Sequence, residues 1–194
     1  MVTVSTSISE QRGYHHGDLR AALLTAGLHA LESADISEIS LRALAREVGV
    51  SATAVYRHFP DKRALLEAMA REGLAQLGQM QQRAAMEAGD NAFSATGRAY
   101  VRFALANPSL FRLVFTHCPV RGDGLPEGNL AADMLLASAA RFTGGDKQAA
   151  RRFALQSWAL VHGLAMLMLD GQLPADEALI DQVIDGPTMW PAAS

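Results

Sequence analysis

Ser40 to Phe59, SLRALAREVGVSATAVYRHF, leaves this chain fewer folding options than any other stretch. Leu41, Leu44, Ala45 and Val48 fall at the i, i+3, i+4, i+7 spacing of one buried helical stripe. Gly49 ends that helix, because glycine alone enters the left-handed region without a steric penalty. Ser51 can restart the chain by accepting from a free N–H in the first turn of a second helix. The intervening turn is too short for anything but two helices crossing steeply. At 100° per residue, Ala52, Val55 and Phe59 point to one side of the second helix; Thr53, Ala54, Arg57 and His58 point to the other, with Tyr56 on the border.

That outward face is small, polar and basic, as a helix entering a major groove about 12 Å wide requires. From Arg42 to Arg63 there are five Lys/Arg (42, 46, 57, 62 and 63) against Glu47 and Asp61, a local balance of +3 in a chain whose total is -3. An ordinary helical hairpin with a solvated basic face fits the two-helix pattern alone. The continuation FPDKRALL favours DNA: Pro60 breaks the helix, Asp61 can cap the next one, and Lys62 starts it beside the groove. On this reading Thr53, Ala54 and Arg57 sample base edges, Tyr56, His58 and Lys62 hold phosphates, and Arg42 and Ser51 complete the DNA-facing set.

GVSATAVYRHFPDKRALL, preceded by SLRALARE, closely resembles the DNA-binding signature of TetR-family transcriptional regulators, specifically over Leu19 to Leu66. The resemblance includes the lead-in Tyr14-His15-His16-Gly17-Asp18-Leu19. It implies a three-helix N-terminal helix-turn-helix domain followed by a larger helical ligand-binding and dimerisation domain. It also implies a regulator, more often a repressor, that sits on a palindromic double-stranded DNA operator and answers to a small molecule. A helical ligand-binding or protein-interaction module that no longer reads DNA is the alternative.

Composition narrows the rest. A 194-residue chain with 49% hydrophobic content can bury a sizeable core, as one domain or as a small one fused to a larger. Charged residues are 19%, so any DNA contact must come from a local patch rather than from a general polycation. The single cysteine, Cys118, excludes an internal disulfide, and with no signal peptide a cytoplasmic location is expected. The apolar run Phe153 to Leu169 is shorter than the ~20 residues of a membrane span and contains Gln156, Ser157 and His162. His15 and His16 have no accompanying ligand cluster, and His117-Cys118 has no orienting third group. No phosphate loop, paired-cysteine motif or nucleophile elbow occurs, so neither enzyme activity, a metal nor a cofactor is expected.

Thirty-five alanines and few alternating β-branched runs predict an all-α chain. Residues 1–14 form a tail without periodicity, whose Arg12 is the one candidate minor-groove contact. Asp18 is the expected cap of a helix carrying Leu19, Ala22, Leu23, Ala26, Gly27, Ala30 and Leu31 on its buried stripe. The helix-turn-helix domain then covers 15–62 and a connecting helix 63–86, in which Gly73 and Gly78 either ease bending or allow close packing. A C-terminal domain over 87–186 follows, with helices at 92–106, 109–115, 130–142, 147–169 and 175–185, a loop at 119–128, and a stop at Gly186-Pro187 before a tail over 187–194. The 147–169 helix is apolar nearly all round, so it must be covered on more than one side. With the stripe Leu179, Ile180, Val183 and Ile184 it can build a four-helix interface with a second copy, or both can be buried within one chain.

Trp158-Ala159-Leu160-Val161-His162-Gly163 resembles the tryptophan-to-His-Gly stretch in the C-terminal domain of one TetR subgroup. That resemblance implies that the C-terminal helices enclose an effector site and form a homodimer. By residue type Phe103, Phe111, Phe115, Met134, Phe142, Trp158, His162 and Met166 are the candidates to line a largely apolar pocket, with two or three of them touching ligand.

Overall fold

The structure, a computed structural model, describes residues 16–118 and 130–185. Among these residues every regular element is helical: α1 (His16–Ser33), α2 (Leu41–Val48), α3 (Ala52–His58), α4 (Lys62–Ala88), a 3-10 turn (Gly89–Asn91), α5 (Ala92–Ala106), α6 (Pro108–His117), α7 (Leu130–Phe142), α8 (Lys147–Leu169) and α9 (Glu177–Val183). The all-α expectation holds. Arg12, His15, the loop at 119–128, the stop at 186–187 and both tails lie outside the described residues.

Aspartate side chains cap the starts of α4, α8 and α9. Asp61 Oδ1 accepts from the Ala64 N–H at 2.7 Å, and Asp146 Oδ1 accepts from Gln148 and Ala149 at 2.9 and 3.1 Å. Asp176 Oδ1 takes the Ala178 N–H at 3.0 Å. Each satisfies a donor that the first helical turn leaves unpaired. Asp18 is a correction: α1 already begins at His16, so Asp18 lies inside the helix rather than before it.

Three cores organise the chain. The first joins Leu23, Leu31, Leu44, Val55, Phe59 and Met69, from α1 through the first two turns of α4, and takes in Leu113 from α6. The second joins Leu77 of α4 to Tyr100 and Phe103 of α5, Phe111 of α6, Leu164 and Met168 of α8, and Ile180 and Ile184. A small third one, Ala139, Ala150 and Ala154, closes α7 onto α8. α4 runs unbroken through 27 residues. A Cβ on Gly73 would stand 2.7 Å from Leu110 Cδ1, and one on Gly78 2.9 Å from Leu130 Cβ. Both glycines therefore serve close approach of α6 and α7 to α4.

Two of the four positions of the apolar stripe expected over 175–185 are spent inside the chain. Ile180 and Ile184 are buried in the second core, and Gly97 leaves room for Ile184, whose Cγ2 lies 2.9 Å from where a Cβ would sit. The outer face of α9 carries Glu177 and Asp181 instead. Glu177 accepts from Arg102 Nε at 2.9 Å and Nη2 at 2.6 Å, and Asp181 lies 3.5 Å from Arg98 Nε. A second strap joins Arg112 to Asp170. The apolar stripe tells that one face is buried, and here the chain's own core buries it. α8 is long and apolar enough to cross a bilayer by length and composition. Its Ala150, Ala154, Leu164 and Met168 instead pack inward, while Ala159 and Leu167 are exposed.

Candidate nucleic-acid interface and ligand core

Gly49 closes α2 at φ 76°, and the N–H groups of Gly49 and Val50 return to the carbonyls of Arg46 and Ala45 at 3.2 and 2.8 Å. Nothing lies within 4 Å of a Cβ built there, so the backbone angle and not space demands glycine. Ser51 Oγ then accepts from the Ala54 N–H at 3.3 Å and starts α3. Val55 and Phe59 are buried beneath α3, and the Arg20 guanidinium lies 5.2 Å over the Phe59 ring. This leaves Thr53, Tyr56 and Arg57 exposed on a helix held at both ends and from below, with Arg42 and Ser51 exposed beside them. Ala54, expected on the outward face, is partly buried against the core, and His58 is half-buried. Lys62 Nζ donates to the Ser37 carbonyl at 2.8 Å, which ties the start of α4 to the α1–α2 connection. The same connection is tightened by the Ser37 N–H on Asp35 Oδ1 at 2.8 Å, a bond that holds the Asp35 carboxyl below its usual pKa.

Beyond the helix-turn-helix, α5, α6 and α8 bring five rings together. Trp158 Nε1 donates to the Tyr100 hydroxyl at 3.1 Å, and that hydroxyl lies 2.9 Å from His162 Nδ1. The arrangement that leaves no buried hydroxyl hydrogen unpaired has Tyr100 donating to Nδ1 of a neutral imidazole, whose Nε2–H has no partner among the described residues. Burial favours that state, holding His162 below the usual imidazole value and pushing the Tyr100 phenol far up. Phe111 stacks on His162 with centroids 5.5 Å apart, and Phe115 meets His162 edge-on at 4.8 Å. Of the eight pocket candidates, Phe111, Phe115, Trp158 and His162 thus join one cluster, and Phe103 and Met166 belong to the same core. Phe142 does not: it packs on Phe93 and Phe153 at 5.2 and 5.3 Å and is 57% exposed. Met134, partly buried on α7, is not part of that core either. Residue type alone cannot separate two aromatic clusters on different faces. Tyr100 was absent from the candidates. A signal for it existed, since a tyrosine inside an apolar helix needs a polar partner, and Trp158 and His162 offer one each.

Residues 23–69 match the family described as bacterial regulatory proteins, tetR family, and residues 93–186 match the tetracyclin repressor-like C-terminal domain. A solved structure of a protein with unknown function from Rhodococcus sp. RHA1 is 35% identical, with a TM-score of 0.72, covering 92% of this chain and 96% of that one. The chain belongs to the TetR family. Among curated relatives, an uncharacterized HTH-type transcriptional regulator of Haemophilus influenzae is 34% identical over 98 residues, 49% of this chain and 48% of its own. The nucleoid occlusion factor SlmA of Marinomonas sp. is 44% identical over 52 residues, 27% of this chain and 26% of its own. The chain thus spans from about a quarter to a half of the length of these relatives.

The two TetR-family matches cover the two halves of the geometry. The N-terminal one contains α2, α3 and the start of α4; the C-terminal one contains Tyr100, Phe111, Phe115, Trp158 and His162. α6 belongs to the second match and yet reaches into the first core. Phe111 and Phe115 touch the Tyr100–His162 cluster, while Leu113, fully buried, packs with the helix-turn-helix residues. Leu110 packs against both cores.

Proposed function

We propose that this TetR-family protein is a cytoplasmic, homodimeric repressor whose paired α3 helices hold an inverted-repeat operator and are released by a small, largely apolar effector. The observation that carries the DNA-binding part is the exposed Thr53, Tyr56 and Arg57 on a helix whose ends are capped and whose reverse side is buried. In this reading Thr53 and Arg57 sample base edges, with Ala54 lending close approach. Tyr56, His58, Arg42, Ser51 and Lys62 position the phosphates. The functional units are a head over 15–62, a connector over 63–86 and a sensing and dimerising part over 87–186.

The effector enters the core around Tyr100, Phe111, Phe115, Trp158 and His162, where the Nε2–H of His162 is a donor without a partner among the described residues. A ligand there displaces Phe111 or Phe115, and α6 carries that displacement to Leu113 and hence to the head. Coupling of about 1 to 3 kcal/mol would be ordinary for such a link. The dimer face is the outer side of α7 and α8, where Leu136 and Leu167 are exposed and a Cβ on Gly163 would meet nothing within 4 Å. The large exposed leucines and the open glycine are what a close helix-on-helix contact between copies uses.

The test is selection of bound fragments from the source genome, followed by footprinting. An inverted repeat with half-site centres about one helical turn or a multiple apart supports the reading. Absence of salt-dependent duplex binding would leave only a ligand-binding module.

A further inference from the structure

Arg20, exposed in the second turn of α1, keeps its guanidinium carbon 5.2 Å from the centroid of the buried Phe59 ring. No carboxylate among the described residues lies within ion-pair range of it. The basic groups at the start of α4 are differently placed: Lys62 Nζ donates to the Ser37 carbonyl, and Arg63 Nε lies 3.8 Å from Glu67. A guanidinium meets a ring through its charge and its flat face, and an oxyanion through the N–H groups along its edge. The contact with Phe59 therefore leaves Arg20 its donors. Their position follows from α3. At 100° per residue Phe59, which caps the C-terminal end of α3, stands about 60° from Tyr56 and about 160° from Arg57. Arg20 thus lies at that end of α3, along the flank of the exposed Tyr56 and away from Arg57. A cation on this flank meets the DNA backbone beside the groove rather than base edges.

We infer that Arg20 binds a DNA phosphate from α1, held in place by the Phe59 ring, and that with Tyr56 it clamps the backbone at the C-terminal end of the recognition helix. The inference rests on the DNA-binding reading of α3 and adds a contact from a helix outside the two-helix motif. Phe59 then has two roles: it closes the core beneath α3, and it presents a cation carried by α1. Leu19 and Leu23, on either side of Arg20 in α1, are buried in that same core, so the backbone of the phosphate-binding residue is fixed relative to α3 before DNA arrives.

Salt titration of the full chain on a fluorescent random-sequence duplex tests this, because phosphates are the same on any sequence. Between about 50 and 200 mM salt, Arg20→Gln should lower the slope of log K against log salt by about 0.9 for each bound head. Arg20→Met, which keeps an apolar chain over Phe59, should lower it by the same amount. Arg20→Lys keeps the charge and should retain the parent slope, while binding several-fold more weakly for want of the planar fork. Arg83→Gln removes the same charge from α4 about 30 Å along the helix from Lys62, well beyond the Debye length, and should leave the slope unchanged. A residue that only covers Phe59 gives another pattern: Arg20→Gln lowers the melting temperature and weakens binding by one factor at every salt concentration, and Arg20→Met behaves as the parent. That pattern, an unchanged slope in Arg20→Gln and Arg20→Met, or an equal fall in Arg83→Gln overturns the proposal and leaves the DNA-binding reading standing. A parent chain without salt-dependent duplex binding overturns both.

Discussion

Single residues in this protein act mainly by satisfying or constraining the backbone, and their removal has calculable effects. Gly49 sits at φ 76° with open space around it, so Gly49→Ala is expected to cost about 1 kcal/mol from left-handed strain alone, measurable as a shift in urea midpoint at unchanged slope. His162 offers a pH signature. Its folded pKa lies below the model-compound value of 6.5 because burial disfavours the cation. The unfolded chain therefore binds the proton first, and stability falls as pH drops below about 6.5 until the folded pKa is passed. His162→Asn removes that component, so the difference in Tm between variant and parent should shrink or reverse between about pH 7.5 and pH 5.5; a difference independent of pH contradicts the neutral, phenol-bonded imidazole. On DNA, Arg57→Ala should relax choice at particular base pairs by about 1 to 3 kcal/mol. Lys62→Ala should weaken all sequences alike, and it also releases the Ser37 carbonyl, so its loss of affinity should come with a small loss of stability. Binding assays across operator variants, paired with melts, separate the two.

At the level of elements, what was legible in the sequence was what neighbours along the chain decide. The end of α2 at Gly49, the start of α3 at Ser51 and the cap at Asp61 rest on contacts three to five residues long, and the structure has them where the spacing puts them. The bounds of α5, α7 and α8 likewise follow from breakers and apolar period. What the sequence left open was the destination of each apolar face. Leu179, Ile180, Val183 and Ile184 announce burial without saying against what, and the answer depends on Arg98, Arg102 and Gly97 some 80 residues earlier. Tyr100 and His162 are 62 residues apart, and nothing local to either marks the pair. The glycines of α4 could be read as soft or as slender; only the positions of Leu110 and Leu130 decide for slender. A substitution tests this: Gly73→Ala overpacks against Leu110 and Val114 and should cost about 1 to 3 kcal/mol, whereas a residue serving only flexibility would be stabilised by alanine.

For the whole molecule, the exposed Leu136 and Leu167 and the open Gly163 predict a dimer whose loss is electrostatically easy to provoke. Leu136→Asp combined with Leu167→Asp should give a monomer in analytical ultracentrifugation and weaken operator binding. The same variant bound to a single half-site should lose much less, because each head is untouched. The placement of Leu113 has a different reach. A side chain from α6 completes the packing around the helix-turn-helix, so that unit ends its amino-acid sequence well before it ends its interior. Heads of this kind are not portable cassettes. A chimera made by joining residues up to α4 to another sensor inherits a hole where Leu113 stood, unless the recipient's own α6 supplies a side chain of matching size. Recombination that preserves the interior of the head would then have to exchange α6 with it, and with α6 would travel Phe111 and Phe115 of the aromatic cluster.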